Sequence, residues 1–357
     1  FGTASGIQTF VAQADGAGRQ RECGGWAWQG LYVIVPTTLL SAAAVWLAAP
    51  VLLGWLGPSE ELQEAALFYL RPRLLGISGI AIAFVWISFF RGVGDTRTPL
   101  YAALTANVVN AVLDYGLIFG KLGLPAWEVA GAGAATAIGE WIYAIFLAVA
   151  FSRRVLAERF ATRFVGPDPV DIRRFVRVGL PIGGQWMIDM ASFAVFTTLV
   201  ARMGDVEMAA SQAFVALLSM SFMQAIGISV AASTLVGRYI GAEDRPAAIR
   251  SYRSSLKFAG ILGSAIAVLF LSVPDLLMRV FTDDAEVIAL GVPLVRLGAA
   301  FQLMDAFGIV ASGSLRGAGD TRWPFLAQSA LAWGLFVPLA YLRGVKLVGG
   351  LTSAWIG

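Results

Sequence analysis

The sequence predicts an all-helical (all-α) integral membrane protein made of two homologous halves. Hydrophobic residues make up 58% of the 357 positions and charged residues only 14%, whereas soluble domains carry about 25% charged residues. The stretch RGVGDTRTP at 91–99 returns as RGAGDTRWP at 316–324, a shift of 225 positions that also carries Gly2 onto Gly227 and Arg71 onto Arg296. Such self-similarity indicates a duplicated structural unit.

Long apolar stretches give the predicted membrane helices, because about 20 residues cross a hydrocarbon core of about 30 Å. The run 258–273 contains no charged residue, which excludes the charged outer face that a helix of a soluble protein needs. Pro274, inside one predicted span, is a candidate kink. Complete spans are predicted at 31–56, 65–90, 100–120, 129–151, 176–203, 208–239, 258–280, 287–315 and 325–342, and partial spans at 2–14 and 349–357.

Six predicted spans separate the two copies of the repeated stretch, so both halves enter the membrane with the same orientation. We therefore expect two six-helix bundles related by a pseudo-two-fold axis along the membrane normal, with twelve transmembrane helices in the complete protein. On this count the first helix, part of the second and most of the last are missing from the sequence. The predicted lobes cover 1–151 and 176–357, joined by a linker at 152–175 that contains GPDP.

Basic residues predict the orientation and exclude some partners. Most Lys and Arg residues, among them Arg19, Arg153, Arg154 and Arg250, fall in one set of loops, which the positive-inside rule assigns to the cytoplasm. Their dispersal over short loops argues against nucleic acid as a partner. The sequence has no histidine and a single cysteine, Cys23, so we expect no intramolecular disulfide, no zinc cluster and no cofactor.

The repeated glycine-rich stretch is interpreted as a turn between two membrane helices. A dinucleotide site would need a preceding strand, and a phosphate loop would need a G-K-[ST] ending. Neither occurs here. Gly92 and Gly94 supply the bend, and Pro99 suits the opening of the next helix.

Three aspartates inside predicted spans are the candidate functional residues: Asp114, Asp189 and Asp305. A carboxylate there costs about 2.5–3.5 kcal/mol on insertion scales, so a functional role is the default hypothesis. The alternative for each is a structural hydrogen bond to a neighbouring helix. Further polar candidates accompany them: Asn107 and Asn110 on the helix face of Asp114, Gln185 one turn before Asp189, Gln302 three residues before Asp305, and more weakly Glu140.

These residues resemble the multidrug and toxic compound extrusion (MATE) transporters over essentially the whole sequence. The resemblance is carried by RGVGDTRTPL at 91–100, NVVNAVLDYGLIFG at 107–120, GLPI at 179–182 and DAFGIVASGSLRGAGDTRWP at 305–324. It implies a monomeric multi-pass protein of the bacterial inner (plasma) membrane that is not an enzyme. The implied activity is multidrug efflux: small organic, cationic compounds leave in exchange for sodium ions or protons, by alternating access of two bundles.

The resemblance also implies roles for individual residues. In members with a first-lobe site, Asn110, Asp114 and Thr136 fall where cation or proton ligands are found.

In members with a second-lobe site, Asp189 and Asp305 fall on the acidic pair, which makes them candidates for a sodium site. Two departures bear on the choice of cation: Asp189 stands where glutamate is frequent, and Phe301 stands where tyrosine is frequent. Phe301 and Trp186 are also candidates to contact a flat or cationic substrate.

Two other functions stay open at this point. A lipid-linked oligosaccharide flippase of the same superfamily would share the spans and the duplication, and Arg71, Arg73 and Arg296 near the outer ends of their spans suit its pyrophosphate. A membrane-embedded enzyme is the second alternative, although the sequence has no histidine and no nucleophile elbow.

Overall fold

The computed structural model describes residues 2–56, 59–342 and 350–356, and these residues are helical apart from short connections. The first helices are α1 (Gly2–Gly16), α2 (Cys23–Leu56), α3 (Glu60–Gly92), α4 (Arg97–Phe119), α5 (Glu128–Phe151), α6 (Arg154–Phe160) and α7 (Pro169–Ala201). They are followed by α8 (Asp205–Gly241), α9 (Arg245–Ser272), α10 (Pro274–Arg279), α11 (Ala285–Ala318), α12 (Arg322–Leu331), α13 (Val337–Ala340) and α14 (Gly350–Ile356). A π-helical turn, Ala332–Phe336, connects α12 to α13.

The predicted membrane spans are found as helices. Eight helices in the described part of the chain are long and apolar enough to cross a membrane. The one complete predicted span that is not among them, 176–203, lies in α7 as far as Ala201. Large apolar side chains point outward, with Leu47 76% and Ile261 66% exposed, as expected of surfaces that face lipid. Of the predicted partial spans, 2–14 lies in α1, and the ends of 349–357 lie outside the described residues.

One predicted span, 258–280, is broken in two. Helix α9 ends at Ser272 and α10 begins at Pro274, with Val273 between them at φ −136° and ψ 46°. The proline ring clashes with a helical conformation of the preceding residue, which accounts for the break at Val273. The continuous span was therefore wrong, and Pro274 ends a helix instead of kinking it.

The chain divides into two compact units, one from Thr3 to Gly179 and one from Leu180 onward, so the division falls within α7. In the first unit α3 packs on α2 and α5, and α5 packs on α4. Its core is rich in aromatic rings: the Phe151 centroid lies 4.2 Å from that of Trp86, with the rings tilted, and 4.8 Å from that of Phe89, edge to face. The one cysteine, Cys23, is buried in this core with its Sγ 3.6 Å from the Val11 carbonyl oxygen.

The second unit is organised around α11, which packs on α8 and α9. Ser229 of α8 donates a hydrogen bond to the carbonyl of Ile309 at 2.8 Å, and Gly313 lets the two helices approach closely at the same level. Its buried side chains include Phe196, Phe214, Met278, Leu294 and Val295.

The predicted linker at 152–175 belongs to the first unit and is partly helical, since α6 lies within it and α7 begins at Pro169. Its carbonyls at Thr162, Val165 and Gly166 accept hydrogen bonds from Trp28, Tyr32 and Gln29 of α2, at 2.6–3.2 Å. The segment is therefore fastened to α2, and the extent of the two lobes as functional units stays a prediction.

The two copies of the repeated stretch form the same turn, as predicted. Helices α3 and α11 end before Gly94 and Gly319, whose φ angles are 85° and 95°, a conformation that glycine adopts without strain. The next residue closes each turn: the amide of Asp95 donates to Phe90 O at 2.8 Å, and that of Asp320 donates to Leu315 O at 3.0 Å. This pattern satisfies the last carbonyls of each helix.

Candidate ion and substrate site

The first-unit candidates lie on α4 and α5. Asn110 and Asp114 of α4 are half-buried, whereas Asn107, on the same helix face, is exposed. The hydroxyl of Thr136 on α5 donates to the carbonyl of Ala132 at 2.9 Å. Its oxygen keeps lone pairs that can accept a hydrogen bond or contact a cation.

Close packing of α5 against α4 brings Asn110 to the level of Gly139, about one helical turn from Thr136. A methyl group at Gly139 would lie 3.2 Å from the Asn110 Cβ, so a glycine there permits the approach. The Nδ2 of Asn110 is buried and has no hydrogen-bond partner among the residues that the structure describes. A buried amide donor of this kind marks a place where an additional acceptor would be stabilising.

Glu140, the weaker candidate, forms an ion pair with Arg73 of α3 at 2.6 Å. The two side chains are only 12% and 29% exposed, so each charge is largely removed from water and compensated by the other. Glu140 therefore holds α5 to α3. The pairing was not predicted, although both residues had been singled out separately.

In the second unit, Asp189 of α7 is joined to α12. Gln328 donates from Nε2 to Asp189 Oδ1 at 3.0 Å. Arg316, the first residue of the second repeated stretch, also lies within electrostatic range of Asp189. The carboxylate thus sits among groups from three helices, α7, α11 and α12.

Asp305 occupies the middle of α11 and is half-buried, as is Phe301 one turn earlier. Gln302 is buried and borders a small cavity with Ser221 of α8, whose hydroxyl oxygen is buried without a hydrogen-bond partner in the described part of the chain. Gln185 is also buried, one turn before Asp189. Over residues 2–56, 59–342 and 350–356, no three His, Cys, Asp or Glu side chains form a metal-binding group.

A family model described as MatE matches residues 1–116 and 181–342, which is more than half of the chain. This chain belongs to the MatE family. The family predicted from the repeated stretch and its flanking residues is therefore confirmed.

Relatives within the MatE family are found in several bacteria. The chain is 29% identical over 99% of its length to the probable multidrug resistance protein NorM of Thermotoga maritima, covering 76% of that protein. It is 31% identical over its whole length to the probable multidrug resistance protein NorM of Rhizobium meliloti, covering 78% of that protein.

The solved structure of a MATE protein in the bent conformation matches 99% of this MatE chain at a TM-score of 0.90 and 19% identity, with 78% of that structure covered. This likeness confirms the predicted fold class, an all-helical membrane protein of the two-bundle MATE type. The roles of the individual site residues are a separate matter and stay predictions.

Two partners in the MatE chain's site escaped the sequence analysis. Gln328 lies 139 positions from Asp189, on another helix, and nothing in its local sequence signals that contact. Arg316 was assigned to a structural turn. For both residues the sequence shows only that a polar side chain lies near or within an apolar span. That pattern identifies candidates but does not show which of them are in contact.

Proposed function

We propose that this MatE protein is a transporter of the plasma membrane, and not an enzyme, that exports small organic cations in exchange for sodium ions or protons. Relatives in the family, of which this chain covers 76% and 72%, are named as a probable multidrug resistance protein and a multidrug resistance protein. Carboxylates inside the spans of both units supply the negative charge that a proton, a sodium ion or an organic cation would neutralise.

The observation that carries this proposal is the environment of Asp189. One neutral amide, that of Gln328, donates to one carboxylate oxygen, and the positive charge of Arg316 also acts on the carboxylate. These interactions offset part of the cost of holding a charge within a membrane span, and a bound cation or proton offsets the remainder. Asp189 is therefore suited to bind and release its counter-ion during each transport cycle.

Exchange follows from competition for the carboxylates. If the coupling ion and the organic cation bind preferentially to states open to opposite sides, each shifts the equilibrium by its difference in affinity between those states. Alternating access of this kind needs no covalent chemistry and no resident cofactor.

The flippase alternative receives less support from the arginines that suggested it. The charge of Arg73 is compensated by Glu140 at 2.6 Å. The guanidinium of Arg71 lies over the ring of Trp46, 5.7 Å from its centroid. The ion pair neutralises Arg73, whereas Arg71 keeps its charge beside an uncharged ring, so one of these two arginines loses positive charge that a pyrophosphate would need.

The test is transport by the intact protein in vesicles, with sodium and pH gradients imposed separately and ethidium as the organic cation. We expect Asp189→Asn and Asp305→Asn each to lower gradient-driven transport at least about tenfold, which corresponds to roughly 1.4 kcal/mol, because the neutral amide cannot exchange a cation or proton. The gradient that drives wild-type transport identifies the coupling ion. Asp114→Asn tests the first-unit site in the same assay.

Asp283→Asn is the matched control, since Asp283 lies in an exposed connection between α10 and α11. It should transport at the wild-type rate. Wild-type transport by both Asp189→Asn and Asp305→Asn, at normal expression, would exclude the second-unit site.

A further inference from the structure

A groove between α8 and α9 has no role in the transport chemistry described above. It has a volume of about 540 Å³ and is lined by Leu235 and Tyr239 of α8 and by Arg250, Ser251, Ser254 and Phe258 of α9, among others. This volume lies in the range of about 300–1,000 Å³ typical of sites for small ligands. All of these residues belong to the second unit.

The lining changes from polar to apolar along the groove. Arg250, Ser251 and Ser254 are near the start of α9, next to the loop predicted to be cytoplasmic, whereas Phe258 and Leu262 lie deeper in the span. From Arg250 to Leu262 the helix rises about 18 Å, at about 1.5 Å per residue. That distance is close to half of a bilayer core of about 30 Å. The groove therefore has the depth and polarity of one lipid leaflet.

Arg250 has a charge available for a ligand. Among the described residues no carboxylate lies within 4.0 Å of its guanidinium, in contrast to Arg279, which pairs with Asp275 at 2.6 Å. Asp244, which directly precedes α9, caps that helix by accepting a hydrogen bond from the amide of Ala247 at 2.9 Å. Four other basic residues surround this end of the two helices: Arg238, Arg245, Arg253 and Lys257.

The first unit fills the equivalent groove with its own side chains. The 225-position shift carries Leu235 onto Phe10 and Ser251 onto Trp26, whose rings stack at 4.2 Å with an interplanar angle of 14°. The same shift carries Arg250 onto Gly25. The second unit therefore has both the open groove and the arginine. The first unit has two aromatic rings in place of the open space and a glycine in place of the arginine.

We propose that the α8–α9 groove binds an anionic phospholipid of the cytoplasmic leaflet. The phosphodiester lies at Arg250, with the hydroxyls of Ser251, Ser254 and Tyr239 as hydrogen-bond donors, and one acyl chain lies along Leu235, Phe258 and Leu262. Basic pockets between membrane helices on the cytoplasmic side are suited to anionic headgroups, and the negative surface potential of that leaflet concentrates basic segments there. The proposal is independent of the transport function and of the carboxylates.

Native mass spectrometry of the intact protein, titrated with phosphatidylglycerol or with zwitterionic phosphatidylcholine, tests this site. Wild type should retain phosphatidylglycerol preferentially. Arg250→Ala should weaken that binding about fivefold, the loss expected for one basic residue near an anionic surface, and remove the preference. Leu235→Phe with Ser251→Trp, which copies the filled groove of the first unit, should abolish retention of the tightest lipid.

Arg253→Ala is the matched control, because Arg253 has the same charge on the same helix but does not line the groove. It should change the affinity less than twofold. If the double variant is not monodisperse, Ser251→Trp alone is titrated in its place, with the same expected loss of lipid retention. Equal binding of the two lipids, unchanged retention in the filled variants, or equal effects of Arg250→Ala and Arg253→Ala would overturn the proposal. So would binding of free glycerol phosphate as tight as that of the lipid, or a dimer that dissociates when the groove is filled.

Discussion

The two units share their turns but differ in the contacts between their helices. Gly94 and Gly319 adopt the same left-handed conformation, and the following aspartates close both turns with the same backbone hydrogen bond. By contrast, Arg73, which pairs with Glu140 in the first unit, corresponds to Gly298 in the second, where a methyl group would lie 2.7 Å from the ring of Phe214. After duplication, the backbone of the connections was kept while the side chains between helices diverged.

This difference shows which parts of the fold depend on local sequence. A turn needs a glycine and a capping aspartate within a few residues, so its structure depends on neighbouring positions of the sequence. A helix contact can be made by an ion pair or by a ring against a glycine, provided that volume and charge are satisfied. Three pairs of variants would break or sharpen the comparison.

The largest effect is expected at a glycine that the repeat places at the same position in both units, Gly92 in the first and Gly317 in the second. A methyl group at Gly317 of α11 would meet the backbone of Ser233, with the Ser233 Cα and carbonyl carbon at 2.9 Å, whereas one at Gly92 of α3 would meet the side chain of Val11 at 2.7 Å. Because backbone moves less readily than a side chain, Gly317→Ala should cost about 3 kcal/mol and Gly92→Ala about 1 kcal/mol. The midpoint of thermal unfolding in detergent measures both, and an equal loss would show that the two approaches are equally tight.

An intermediate effect is expected at the ion pair between Arg73 and Glu140, whose arginine corresponds to a glycine in the second unit. Glu140→Gln leaves the guanidinium of Arg73 without its counter-charge. Breaking a fully buried pair costs roughly 3–5 kcal/mol, and because these side chains are 12% and 29% exposed we expect about 2 kcal/mol. Adding Arg73→Met should restore most of the unfolding midpoint. A double variant no more stable than Glu140→Gln would show that the arginine's charge is not the source of the loss.

The smallest effect is expected at the turns themselves. The carboxylate of Asp95 accepts from the amides of Arg97 and Thr98 at 3.0 Å and from the Thr98 hydroxyl at 2.6 Å, whereas that of Asp320 accepts from the amide of Trp323 at 3.2 Å. Replacing a capping aspartate by alanine costs about 0.5–2 kcal/mol. Asp95→Ala should therefore lower the unfolding midpoint more than Asp320→Ala, and the reverse order would contradict this account of the turns.

Sequence patterns predicted the spans and both turns because those features depend on neighbouring residues. The break at Val273 follows from an equally local rule, the restriction imposed by Pro274, and it was missed because the apolar run continues across it. The contacts of Asp189 with Gln328 and of Arg73 with Glu140 join residues 139 and 67 positions apart. Such pairs depend on helix rotation and packing, which a single sequence does not reveal. The repeat aligns Phe10 with Leu235 and Trp26 with Ser251. Only the structure shows that the two aromatic rings fill a space that is open in the second unit.

Cys23 has a practical consequence for following motion in this protein. As the one cysteine in the sequence, it is fully buried against α1, where a thiol-reactive label cannot reach it without local opening. Within these 357 residues, cysteines introduced at exposed positions can therefore carry spectroscopic probes beside an unreactive Cys23, and slow labelling of Cys23 itself would report how often the first unit opens.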